Sequence, residues 1–191
     1  MFRFILLSAA SLSSVVTLAA DPAVEAKSPF DRWEPAIQKF EAQDKASSPP
    51  ENAILFVGSS SIRLWKLNES FPDLKTINRG FGGSEIADSI HFANRIILKH
   101  KPRVVTLYAG DNDIGRGKSA KTVTKDFREF VRVVHKELPE TKIVFIAIKP
   151  SIKRWNLVDT MRDANDAIRK LCEEDDRLAF ADIDTPMIGK D

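Results

Sequence analysis

Apolar positions along the chain fall into two patterns. Three runs of consecutive apolar residues read as strands buried on both faces: Ala53 to Val57 ended by Gly58, Val104 to Ala109, and Ile143 to Ile148. A shorter strand is expected at Lys75 to Asn78 and a last one at Leu178 to Ile183. Between them, apolar residues recur at helical spacing. Trp33, Ile37 and Phe40 mark a helix over 33–46. Ile86, Ile90, Ala93, Ile97 and Leu98 mark one that stops before Pro102. Phe127, Phe130, Val131 and Val134 mark another, ending before Pro139, and Met161, Ala164, Ile168, Leu171 and Cys172 mark the last. Five strands alternating with helices predict an α/β domain, its mainly parallel five-stranded sheet doubly wound through right-handed crossovers. Residues 21–52 form an N-terminal helix and connector, the latter rich in serine and proline (Ser47 to Pro50). The domain itself is expected over 53–191, with no internal repeat.

The first twenty residues follow a different pattern. Arg3 precedes a mostly apolar stretch from Phe4 to Leu18, and two small residues follow, Ala19 and Ala20. This predicts a signal peptide over 1–20 and an exported protein, periplasmic or secreted. The stretch is shorter than the ~20 apolar residues that span a bilayer, so stable membrane insertion is not expected.

Composition narrows the class. The 191 residues are 43% hydrophobic and 29% charged, values of an ordinary globular domain, not of a disordered chain or a polytopic membrane protein. A formal net charge of +2 offers no basic field for nucleic acid. The single cysteine, Cys172, excludes an internal disulfide framework and a cysteine metal cage.

In a doubly wound sheet, ligands bind beyond the carboxyl ends of the strands. Three strand ends carry unusual chemistry. After the first strand, Gly58-Ser59-Ser60-Ser61-Ile62 puts serine on a tight turn that opens a helix, where backbone N–H groups favour developing negative charge. After the second, Asn78-Arg79-Gly80-Phe81-Gly82-Gly83-Ser84 lets backbone approach a ligand closely. After the third, Gly110-Asp111-Asn112-Asp113 offers a side-chain amide donor. Each loop alone also reads as a plain turn or helix cap. The glycine spacing does not match a dinucleotide loop, nor do Gly115 and Thr122 fit the calcium-loop positions they would occupy. Asn112 stands where a phosphate loop needs its first glycine. Taken together, the loops supply a nucleophile and candidate oxyanion donors on one sheet edge.

This set resembles the SGNH, or GDSL-type, serine hydrolases. The family's first block, Gly-Asp-Ser, stands here as Gly58-Ser59-Ser60, with Ser59 in place of the aspartate. The resemblance puts Ser60 on the nucleophile. It puts Gly83 on the oxyanion glycine, with Asn78 opening that block, and Asn112 on the oxyanion asparagine. It covers about Trp33 to Met187 and implies a three-layer α/β/α sandwich, the flavodoxin-like SGNH-hydrolase fold. The implied activity is a serine esterase acting on short acyl esters of small molecules or carbohydrate, acetyl groups among them, with no cofactor and no metal. Arg63, Trp65, Lys149 and Trp155 are candidates for the pocket mouth, and Asp111 and Asp113 for fixing the loop around Asn112.

The family's last block, Asp-x-x-His, supplies the general base and is not found in these residues. His91, His100 and His135 fall on or beside predicted helices, and Asp182 and Asp184 precede the place of that block without belonging to it. The expectation is a sequence cut short of the block in the loop-like stretch Met187 to Asp191. The alternative is an exported, non-catalytic module that binds a glycan or an ester.

Overall fold

The apolar runs form the centre of a five-stranded sheet in the computed structural model of the chain, which describes residues 28–187. The strands are β1 (Ile54–Gly58), β2 (Thr76–Gly80), β3 (Val104–Tyr108), β4 (Lys142–Ile146) and β5 (Leu178–Ala181). Their order is β2-β1-β3-β4-β5 and every pairing is parallel. The chain therefore winds outward from β1 in both directions, and the turns after β1 and β3 meet at the carboxyl edge of the sheet. Residues 1–20, read above as a signal peptide, lie outside the described residues.

Nine helical segments surround the sheet among the described residues: α1 (Glu34–Ala46), α2 (Ser60–Leu64), α3 (Leu67–Ser70), α4 (Ile86–His91), α5 (Ala93–Ile96), α6 (Asp111–Gly115), α7 (Ala120–Glu137), α8 (Val158–Glu173) and α9 (Asp184–Met187). Alternation along the strands divides the core. Leu55, Val57, Val105, Leu107, Ile143 and Phe145 face a large cluster built with α1, α4, α5, α7 and α8. Phe56, Tyr108 and Ile146 face the other way, onto Ile62 of α2 and Leu67 of α3. Ile37 of α1 is fully buried in the large cluster. No helix among the described residues is long and apolar enough to cross a membrane.

The long helix expected over 86–98 is broken. Phe92 leaves helical geometry between α4 and α5, and Ile97 does so again before a 3₁₀ turn at Leu98–His100. Phe92, Ala93, Ile96, Ile97 and Leu98 are all buried, a wider face than one straight helix presents to a core. The two kinks turn successive residues inward. Lys101 then adopts the left-handed conformation just before Pro102 and ends the segment. Residues 147–148 are buried but lie past the end of β4. The Ala147 N–H still donates to the Ala181 carbonyl of β5 (2.9 Å), and Ile148 is held by Asn165 of α8, whose amide accepts from the Ile148 N–H (2.8 Å) and donates to the Ile148 carbonyl (3.0 Å). After β5 comes the single helical turn of α9, whose last residue, Met187, opens the stretch read as loop-like; residues 188–191 lie outside the described residues.

Candidate active site

The β1 turn fixes the three serines in different surroundings. The Ser59 N–H donates to the Tyr108 carbonyl of β3 (3.0 Å), and its side chain is fully buried. Ser61 faces a depression shared with Tyr108 and Ile146. Ser60 is half-buried and lines a cleft of about 750 Å³ between α1 and the β2 loop. Of the three hydroxyls, only that of Ser60 opens on this cleft.

Gly83 lines the same cleft. Its φ of +82° is a conformation that glycine adopts without strain. The Gly83 carbonyl accepts from Arg116 (3.0 Å), and Arg116 is also ion-paired with Glu85. Among the described residues, no acceptor takes the Gly83 N–H. Asn78 holds this loop against α2: its Nδ2 donates to the Ile62 carbonyl (2.7 Å), and its Oδ1 accepts from the Gly80 N–H (2.9 Å). Gly80 passes so close to α2 that a Cβ there would lie 2.2 Å from the Arg63 backbone nitrogen.

Asn112 joins the third loop to the second. Its Nδ2 donates to the carbonyl of Ser84, the neighbour of Gly83 (3.0 Å), which leaves one amide hydrogen for a ligand. Its Oδ1 accepts from Arg154 (3.0 Å). A guanidinium has no acceptor, so Arg154 fixes which way the amide points. Arg154 also donates to the carbonyl of Asp111 (2.8 Å) and to its carboxylate (3.0 Å). Asp113 is fully buried and accepts from the Ile86 N–H and from Lys118 (2.9 Å). Burial pushes the Asp113 carboxyl up, against the pull of Lys118. Burial also opposes the charge of Lys118, but bonds to Asp126 and Asp113 outweigh it and raise its pKa. Asp111 and Asp113 thus fix the loop around Asn112, as the sequence suggested.

The structure brings Ser60 and Gly83 onto one cleft and seats Asn112 beside Gly83. It separates the residues proposed for the pocket mouth. Arg63 lines the cleft, whereas Trp65 and Lys149 line the depression at Ser61. Trp65 packs on Phe56 and Phe71, and its Nε1 donates to Ser70 (2.8 Å). Trp155 is 54% exposed. The histidines are engaged elsewhere. His91 stacks on Phe30, with ring centroids 3.9 Å apart. His100 lies beside Arg79 and Asp44, and His135 contacts the Thr141 carbonyl (3.0 Å). Asp182 holds Thr185 and Arg169, and Asp184 holds Arg162.

Sequence reasoning missed Arg154, Arg116 and the α1 wall of the cleft. Trp33 was legible only as a helix residue. In the fold its ring lies 3.3 Å from where a Cβ on Gly83 would sit.

The parallel α/β sheet carries a serine turn, a glycine turn and an asparagine loop on one edge, the arrangement that the resemblance to SGNH hydrolases implied. The chain belongs to the GDSL-like lipase/acylhydrolase family, whose model matches residues 62–191. It is 26% identical over 168 residues to the human platelet-activating factor acetylhydrolase IB subunit alpha1, covering 84% of this chain and 70% of that one. Solved structures share the fold. A GDSL-like lipase from Bacteroides thetaiotaomicron superposes with a TM-score of 0.69 at 16% identity, covering 81% of each chain. An acetylxylan esterase from Geobacillus stearothermophilus superposes with a TM-score of 0.56 at 16% identity, covering 71% of this chain and 78% of that one. Family membership places the chain among ester-hydrolysing proteins.

Proposed function

We propose that the protein is an exported serine esterase that cleaves short acyl esters, acetyl groups on carbohydrate among them, through an acyl-enzyme on Ser60. The observation that carries this is the convergence of Ser60 and Gly83 on one cleft, with the Asn112 amide one residue from Gly83. Ser60 Oγ attacks the ester carbonyl and loses its proton to a base. The tetrahedral oxyanion is held by the Ser60 and Gly83 N–H groups and the free amide hydrogen of Asn112. The base returns the proton to the leaving alcohol. Water then attacks the acyl-enzyme and releases the acid. The acetylhydrolase name of the human relative supports a short acyl group. Export rests on the pattern of residues 1–20.

A serine near its free pKa is a weak nucleophile without an adjacent base. His91, His100 and His135 do not line the Ser60 cleft, and each contacts other partners. The base is therefore not assigned to any of these three histidines; the family resemblance implies a histidine in an Asp-x-x-His block. The same observation favours one second reading, a module that binds an ester without turning it over. Coding sequence downstream of Asp191 separates the two: a frame that runs on into Asp-x-x-His supports the enzyme, and a stop codon supports the module. In the product that carries the block, Ser60→Ala is expected to abolish p-nitrophenyl acetate turnover and fluorophosphonate labelling. Label found on Ser59 or Ser61 overturns the assignment of Ser60.

A further inference from the structure

We infer that the Ser60 cleft selects acyl esters whose alcohol part carries an anionic group, a phosphate or a carboxylate. This rests on the esterase reading of the same site and extends it to the charge of the substrate. The charged side chains lining the cleft are Arg32, Lys39 and Arg63, and no carboxylate lines it. The whole chain has a formal net charge of only +2, so the concentration of positive charge is local.

The positions of these cations tie them to the reacting centre. Arg63 follows Ser60 by three residues on α2, which places both on one side of the helix. Its guanidinium lies over the glycine turn, with Nε 3.1 Å from where a Cβ on Gly82 would sit. Lys39 and Arg32 stand on the opposite wall. Several partly buried cations elsewhere in the molecule are paired closely. Arg79 meets Asp44, Arg95 meets Glu34 (2.7 Å) and Glu41 (2.8 Å), Lys118 meets Asp113 (2.9 Å), and Arg154 meets Asp111 (3.0 Å). Arg63 and Lys39 are exposed on the cleft, and among the described residues neither has a carboxylate partner, so both charges are free to meet a ligand. Arg32 reaches Asp88 only at 3.5 Å, and that carboxylate already accepts from the Glu85 N–H (2.8 Å).

Like charges facing one another across a concave wall focus a positive potential into it. Trp33, partly buried and backed in edge contact by the buried Phe81 (ring centroids 5.6 Å apart), supplies an apolar surface for a ring between these charges. A short acyl group has no place for a charge, so the anion belongs to the alcohol part. The cleft volume of about 750 Å³ suits a small molecule.

The test is calorimetric binding of three amides that resist ester turnover: acetanilide, para-acetamidobenzoate and para-acetamidophenyl phosphate. The anionic members are expected to bind about tenfold or more tightly than acetanilide, the low end of what a focusing cleft supplies. The advantage should shrink in about 1 M salt, where the screening length falls to about 3 Å. Arg63→Glu and Lys39→Glu should each remove it. Arg128→Glu, the same charge change on the exposed face of α7, should not. An advantage for the phosphate alone, or for the carboxylate alone, assigns the anion. Equal binding of all three compounds overturns the inference, as does a preference that survives both cleft variants or one that Arg128→Glu removes equally. Because binding is read without turnover, equal binding overturns charge selection alone. Turnover that survives Ser60→Ala overturns the esterase reading alone.

Discussion

The loops after β2 and β3 are each proposed to give the oxyanion a donor, and they are built on opposite principles. The β2 loop works through its backbone. Gly80 presses against α2 where no side chain fits, and Gly83 holds a positive φ. Behind it, Arg79 is buried against Asp44 and His100, with its guanidinium 5.1 Å from the centre of the Phe40 ring. The β3 loop works through a side chain. Asn112 is useful only if its amide points the right way, and Arg154, Asp111 and Ser84 decide that. A backbone donor is placed by steric fit and is hard to tune. A side-chain donor is placed by charge and hydrogen bonds, so one substitution can remove it and leave the fold in place.

Asn112→Ala tests that contrast with the largest effect. In a form of the protein that turns over p-nitrophenyl acetate, kcat should fall about 10²–10³-fold, or roughly 2.7–4 kcal/mol on the barrier. Thermal stability should change far less. An unchanged kcat would remove Asn112 from the oxyanion site and leave the Ser60 and Gly83 N–H groups as its proposed donors.

The next effect belongs to the β2 side and concerns stability alone. Burial, with the Arg79 charge beside it, pushes His100 down from 6.5 to about 4. The native state therefore keeps His100 neutral while the unfolded chain takes up a proton as pH falls through 6.5. The contribution is fully present above pH 6.5 and is lost between about 6.5 and 4, on the order of 3 kcal/mol when the whole shift is expressed. Urea midpoints measured across that range should fall with pH, and His100→Gln should flatten the fall. An equally steep acid limb in the variant would place the proton uptake on another group.

Gly80→Ala comes third. Its Cβ would collide with backbone, not with the movable end of a side chain. The expected cost is about 1–3 kcal/mol of stability, together with a displaced α2 and hence a displaced Ser60. If the variant kept both its melting temperature and its fluorophosphonate labelling, the idea that close packing places the backbone loop would be wrong.

The same contrast explains what could be read from the sequence. The runs at 53–57, 104–109 and 143–148 were legible because strands buried on both faces leave no polar positions. The serine, glycine and asparagine loops were legible because each is local: the residues that shape the turn are its own neighbours. The break in the 86–98 helix was not, because its cause is the wide face that Phe92 to Leu98 must bury, a property of the assembled core. The cationic cleft was hidden for a similar reason. Lys39 of α1 and Arg32 just before that helix line one cleft with Arg63 only once the chain is folded. Arg154 reaches Asn112 from 42 residues away, and no local pattern announces such a contact.

Arg154 also offers the smallest and most discriminating test. It donates to Asn112 Oδ1 without lining the Ser60 cleft, so it acts as a positioning residue. Arg154→Gln should lower kcat about tenfold, near the lower end of what a hydrogen bond to a charged group contributes. KM should move little, because the Asn112 donor matters most once charge develops on the oxygen. Arg154→Lys keeps a cation near Asp111 but not the planar fork, so it should recover only part of the loss. A merely structural role predicts otherwise: both variants would lower the melting temperature, and kcat would follow the folded fraction. In the double variant Asn112→Ala with Arg154→Gln, the second change should cost almost nothing further. Full additivity would mean that Arg154 acts on the reaction by a route other than Asn112.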